Sequence, residues 1–163
     1  MLCSIITNIE GMDSFDEEEL VYTIKLPNHE TFTLNEKCIN MSGFISAIYL
    51  CDQSYERCIE LQCSFSPVLV ADVFCYISYH TYHNLNFPAI PKPIPMIHPS
   101  VESLKPHVNW FSYTWVAHRS DEELIELYKI ASYFLVEPVL DILNACIACK
   151  CNCIYITKKI ANK

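Results

Sequence analysis

From Ile125 to Lys150 the run IELYKIASYFLVEPVLDILNACIACK carries apolar residues at helical spacing, and Pro138 interrupts it. This pattern predicts two successive apolar helices broken at Pro138. Ser120-Asp121-Glu122-Glu123 stands just ahead and fits a capping box: the serine oxygen accepts from an orphan amide while Glu123 reaches back. On a wheel of about 100° per residue started at Leu124, the side chains of Leu127, Tyr128, Ala131 and Leu135 fall within about 60° of it, a core-facing stripe. Glu122, Glu126, Lys129 and Tyr133 fall on the opposite side. A tyrosine in a charged stripe is what a partner-binding face looks like, and a solvated helix face that includes one tyrosine accounts for it equally well.

Earlier in the chain the period changes from that of helices to that of strands. Tyr22 to Leu26 and Thr31 to Leu34 alternate apolar and polar about Pro27-Asn28-His29-Glu30, predicting a hairpin. Met41 to Leu50 reads as a helix with Phe44, Ile45 and Ile48 inward, and Cys58 to Gln62 as a short strand added to the hairpin. Ser66-Pro67 is a helix start, serine as N-cap and proline at the first helical position. The helix that follows, to about His80, is apolar nearly all round, so it must be buried on most sides, as a central helix or with its outer face closed by a partner. From Asn84 to Asn109 six prolines (Pro88, Pro91, Pro93, Pro95, Pro99, Pro106) predict extended, polyproline-like backbone. A passive insertion loop is the simpler account of that segment than docking by an aromatic-groove domain. Trp110 and Trp115 then return the chain to the core.

Composition narrows the function classes. A length of 163 residues suggests one domain with a real core, and 52% hydrophobic against 18% charged residues is too apolar for disorder. A net charge of −8 with sparse basic residues argues against nonspecific nucleic-acid binding. MLCSIITNIEGMD lacks the charged start and apolar core of a signal peptide, and no apolar run reaches the roughly 18 residues of a membrane span. The ten cysteines, most of them single within apolar runs, read as free thiols in a reducing compartment, which places the protein in the cytosol or nucleus.

Catalytic motifs are scarce. Two glycines, Gly11 and Gly43, cannot form a phosphate-cradling loop, and neither a nucleophile elbow nor HExxH occurs. His80 and His83 lie close together without an acidic partner at ligand spacing. Cys146, Cys149, Cys151 and Cys153 form a CxxCxCxC cluster of the kind that holds zinc or copper(I) when four thiolates converge. The first two follow a helical pattern that turns them toward a core, and no second CxxC completes a ribbon. The expectation is no metal, no cofactor and no enzymatic activity.

IELYKIASYFLV resembles the signature helix pair of elongin C and the Skp adaptors of cullin ubiquitin ligases, where the matching runs are close to LFELILAANYLDI or ALELLMAANFLDC. VYTIKLPNHETFTLNEKCINMSGFISAIYL, residues 21 to 50, is similar to that family's opening hairpin and first helix. IELQCSFSPVLVADVFCYISYHTYHN, residues 59 to 84, is similar to its third strand and the helix after it. The segments keep family order and cover somewhat over half the chain. The resemblance implies a BTB/POZ-type α/β domain, a small, mostly hairpin-derived three-stranded sheet flanked by helices. The divisions expected are an acidic tail (1–20), the first part of the core (21–84), a proline-rich insertion (85–109), the C-terminal helices (110–150) and a tail (151–163).

By the same resemblance, the function is that of a non-catalytic adaptor bridging a cullin and an F-box or elongin-box substrate receptor. It places cullin contact on Ser120 to Leu135, through Lys129, Ser132 and Tyr133, with a second contact from the loop Cys51 to Arg57. The receptor face would be lined by Tyr76, Leu124, Leu127 and Val136. Two departures stand out. The family's Leu-Asp after the aromatic is Phe134-Leu135 here, and CKCNCIYITKKIANK is short and unlike the two further helices with which Skp adaptors clasp an F-box. The alternative is a self-associating BTB/POZ scaffold or channel-assembly domain, a homodimer burying the same hydrophobic helices.

The thiol reading has a direct check. Titration of the denatured protein, prepared with reductant, should find ten free thiols, and elemental analysis no stoichiometric metal. One zinc per chain, lost on substituting Cys149 and Cys151, would overturn it.

Overall fold

The structure, a computed structural model, describes residues 21–51, 57–62, 64–92 and 100–161, the last ten of these as backbone alone. The expected tail at 1–20 lies outside them. Among the described residues the protein is mixed α/β, with one three-stranded sheet and six α-helices. No helix among them is long and apolar enough to cross a membrane. Although 163 residues suggest one domain, the chain folds as two compact units, Met1–Asn84 and Leu85–Lys163.

In the first unit, β1 (Val21–Lys25) and β2 (Thr31–Asn35) pair antiparallel, with Val21 opposite Asn35 and Lys25 opposite Thr31. Alternation puts Tyr22, Ile24 and Leu34 in the core. The connecting loop is closed by the Leu26 amide donating to the Glu30 carbonyl at 2.8 Å and the His29 amide to the Leu26 carbonyl at 2.9 Å. His29 takes the left-handed conformation there (φ 67°), which histidine tolerates better than most residues.

The short strand β3 (Cys58–Glu60) runs parallel to β1, with Ile24 opposite Ile59, giving the order β2-β1-β3. A parallel partner needs a crossover. Two helices supply it, α1 (Glu36–Asn40) and α2 (Gly43–Cys51). The hydrophobic pattern did not separate α1; the Asn35 side chain caps it by accepting from the Cys38 amide at 3.0 Å. On α2, Ile45 is buried while Phe44 and Ile48 are half-buried. Helix α3 (Pro67–Tyr82) starts at the Ser66-Pro67 signal and buries Leu69, Val70, Val73, Phe74, Tyr76 and Ile77 among others, as its apolar composition requires.

The second unit is helical: a 3-10 helix (Val101–Leu104), α4 (Trp110–Ala117), α5 (Asp121–Tyr133) and α6 (Glu137–Ala161). Helix α6 packs against α5, α4 and the 3-10 helix. Within the proline-rich segment, therefore, the part from Val101 onward is no passive loop: Leu104 is buried and its helix packs on α4 and α6. Lys92 is also tied to Asp141 of α6 at 2.6 Å. Of the two tryptophans only Trp115 is buried; Trp110, the first residue of α4, is 77% exposed. The tail expected from residue 151 is helical as far as Ala161.

Pro138 does not break the helix pair. It is the second residue of α6, where its missing N–H is an orphan position in any case. The break lies at Phe134–Val136, where a Schellman turn ends α5. The Val136 amide donates to the Ala131 carbonyl at 2.9 Å and the Leu135 amide to the Ser132 carbonyl at 3.3 Å, around Leu135 at φ 53°.

The start of α5 is the expected capping box. The Glu123 amide donates to Ser120 Oγ at 3.1 Å, and the Ser120 amide to Glu123 Oε2 at 2.9 Å. That backbone hydrogen bond, with Arg119 beside it, holds the Glu123 carboxyl below the ordinary value of 4.5. Helix α6 pins the same corner: Lys150 Nζ donates to the Arg119 carbonyl and to Asp121 Oδ1, each at 2.8 Å.

Ser120→Ala should cost about 1 kcal/mol of folding free energy in chemical denaturation. Because Glu123 has a lowered carboxyl pKa when folded, its contribution is full above 4.5 and is lost as pH falls through the folded value. Glu123→Gln should flatten that part of the stability–pH curve, which a denaturation series across acid pH would read.

Candidate protein-interaction face

The side chains that α5 leaves outside follow from the side it buries. Leu124, Leu127, Ile130 and Ala131 are buried, as is Phe134 just past its end. At about 100° per residue these centre on Leu127, about 60° from the wheel's start at Leu124. The rotation moves two residues expected in the core onto the surface: Tyr128 is 38% exposed and Leu135 55%. Ile125, at 53%, joins them. Ile125, Tyr128, Lys129 and Ser132 therefore stand one turn apart along the outer side, with Leu135 continuing the line at the Schellman turn.

Of the residues implied for cullin contact, Tyr133 is 44% exposed, Lys129 exposed and Ser132 half-buried. The Tyr133 ring stands edge-on to the buried Phe134 ring, centroids 5.0 Å apart, which orients it on the outer side. At about 100° per residue Lys129 and Ser132 flank Ile125, while Tyr133 lies about 140° round the helix from Tyr128. The loop proposed as a second contact begins and ends with the exposed Cys51 and Arg57; residues 52–56 between them lie outside the described residues.

The residues implied for the receptor face are buried. Tyr76, Leu127 and Val136 have no exposed surface and Leu124 has 1%. Tyr76 lies in the core of the first unit, its ring centroid 4.7 Å from that of His80, while Leu124 and Leu127 belong to the buried stripe of α5. Side chains so enclosed offer no area to a partner.

The cysteine cluster divides along α6. Cys146 and Cys149 are buried and Cys151 is exposed; the Cys153 side chain lies outside the described residues. Cys146 Sγ donates to the Val116 carbonyl at 3.8 Å, and burial pushes its thiol up to about 11. A protonated thiol is a poor nucleophile. Among the described residues no group of three or more His, Cys, Asp or Glu side chains is placed to hold a metal ion. The first unit has an open cleft of about 760 Å³ beside the hairpin loop, lined by Lys25, His29, Thr31, Glu60 and Gln62 among others. Its two charged walls, Lys25 and Glu60, pair with each other at 3.2 Å.

Tyr128 and Leu135 were placed in the core because the wheel took its zero at Leu124. The apolar pair Ile130 and Phe134, left without a side in that reading, carries the signal that would have rotated it. Comparison of the sequence with protein-family models and with curated proteins finds no match.

An exposed leucine in the left-handed region bears about 1–2 kcal/mol of backbone strain that glycine would not. Leu135→Gly should therefore raise stability by about 0.5–1 kcal/mol, after the extra chain entropy of glycine is deducted. A fall in denaturation midpoint would mean that the leucine side chain packs more than its exposure indicates.

Proposed function

We propose that the chain is a BTB/POZ-type domain of the Skp and elongin C kind, acting as a non-catalytic adaptor between a cullin scaffold and a substrate receptor in a ubiquitin ligase. The collinear resemblance is one support. Hairpin, helix, third strand, long helix and final helix pair occur in the order that it implies. The observation that carries the reading is the outer side of α5, where Ile125, Tyr128 and Tyr133 are 38–53% exposed while Leu124, Leu127, Ile130 and Ala131 are buried. Exposed apolar side chains gathered on one element can mark an interaction site, and aromatic side chains are over-represented among interface hot spots.

Leu135 adds to this. A glycine position occupied by an exposed leucine stores strain without packing gain, as sites under functional constraint do. The adaptor works by geometry alone: one rigid helix holds the contact face, and the capping box and the Lys150 clamp fix where that helix begins. The buried Tyr76, Leu124, Leu127 and Val136 take no part in receptor contact in this reading.

Tyr133→Ala tests the face. Its affinity for the N-terminal domain of a cullin that binds the parent chain should drop by about 2 kcal/mol or more, the usual size for a hot-spot aromatic. Its folding free energy should change by less than about 1 kcal/mol, since the side chain is 44% exposed. A collapse in melting temperature would place Tyr133 in the core, and unchanged binding would remove the face.

A further inference from the structure

The sheet of the first unit ends in two edges that are guarded unequally. The Leu26 amide donates to the Glu30 carbonyl, so the even-numbered residues of β2 turn their backbone groups toward β1. The odd-numbered residues of β1 serve β3: the Thr23 amide donates to the Arg57 carbonyl, and the Lys25 carbonyl accepts from the Leu61 amide. The amides and carbonyls of Thr31 and Thr33 therefore point away from β1, and among the described residues no strand lies beyond them. Both threonines are exposed, and Phe32 between them is half-buried.

Soluble proteins blunt such an edge with charge, proline, a bulge or a short strand. β3 has two of these protections, being three residues long and ending on the exposed Glu60. β2, Thr-Phe-Thr-Leu-Asn, has none of them. It runs five residues in unbroken register with β1, uncharged and without proline.

We infer that β2 is an interface between two copies of this chain, its outer edge pairing antiparallel with the same edge of the copy about a two-fold axis at Phe32. About that axis the amide and carbonyl of Thr31 meet those of Thr33 of the copy, a hydrogen-bonded pair repeated on either side. Phe32 then faces Phe32 of the copy at the close, non-hydrogen-bonded position, where aromatic pairs stabilise sheets. Charge selects this register over its neighbour. An axis at Thr33 would set Glu30 against Glu36 of the copy, whereas the axis at Phe32 sets Glu30 against Leu34.

Two properties select a copy over a segment of another protein. A free segment loses conformational entropy on becoming a strand, whereas β2 of the copy is already held extended by β1. The two-fold also closes: the sheets join into one whose outermost strands are the guarded β3 and β3 of the copy, so no open edge is left to recruit further chains.

The test reads solution mass across a concentration series by sedimentation, beside a cross-link. The parent should move from 18.8 kDa toward twice that mass as concentration rises. Thr33→Pro removes an outward donor and none that bonds to β1, so it should hold the mass at 18.8 kDa. Its melting temperature should stay close to the parent's at dilutions where both are monomeric. Mild oxidation of Phe32→Cys should join the two introduced cysteines, because Cα atoms at that position stand about 4.5 Å apart. The equivalent link in Thr33→Cys should be at least ~10-fold rarer, its two copies being diagonal neighbours about 7–8 Å apart. Peptide mapping by mass spectrometry separates both from links to the native cysteines.

A parent that stays monomeric at the highest attainable concentration overturns the inference. So does a dimer that survives Thr33→Pro, one that links more readily through position 33 than through position 32, or one that Tyr133→Ala dissociates, which would assign the contact to α5. If Thr33→Pro does not fold, the cross-link at position 32 decides alone.

Discussion

The packing of α5 on α6 is the constraint from which the rest of the second unit follows. Five side chains of one stripe, Leu124, Leu127, Ile130, Ala131 and Phe134, are buried, and α6 answers with Val139, Ile142, Leu143, Cys146 and Cys149. Each fully buried aliphatic side chain contributes about 1.5–3 kcal/mol relative to exposure, far more than any surface pair nearby. Once that seam is set, the rotation of α5 about its own axis is no longer free. Tyr133, Lys129, Ile125 and Tyr128 are outside because Leu127 is at the centre of the inside.

Polar contacts then fix where the helix begins and ends. At the start, Ser120 and Glu123 satisfy each other's neighbouring amides, while Lys150 holds the Arg119 carbonyl and the Asp121 carboxylate from α6. At the end, the Schellman turn returns the Leu135 and Val136 amides to α5 carbonyls. The 25-residue α6 can begin immediately afterwards because Pro138, at its second position, has no N–H to satisfy. In the first unit the corresponding constraint is the sheet, whose parallel third strand obliges α1 and α2 to cross between β2 and β3.

Three of the described cysteines are part of the core. Cys38, Cys146 and Cys149 are buried, and Cys38 lies with its sulfur 2.9 Å from the Thr81 hydroxyl. Burial raises the Cys146 thiol and so disfavours the free thiolate that nucleophilic attack requires. The CxxC spacing at residues 146–149 is thus what the helical period produces when two positions of one apolar stripe hold small sulfur side chains.

The sequence by itself determined the hairpin, the start of α3 at Ser66-Pro67, the capping box at Ser120 and the helical character of residues 121 to 150. These are local matters: alternation, a serine oxygen within reach of an amide, a proline whose φ suits a first turn. Which way α5 faces was not local. Tyr128 and Leu135 lie as near Leu124 on a wheel as Leu127 does, and only the surface offered by α6 chose the side centred on Leu127. The same contact enclosed Leu124 and Leu127, which were expected on a binding face, and drew Leu104 from a proline-rich segment into a packed helix. Helix propensity and period are written in the chain, but burial depends on what lies opposite, and that is settled only when the elements meet.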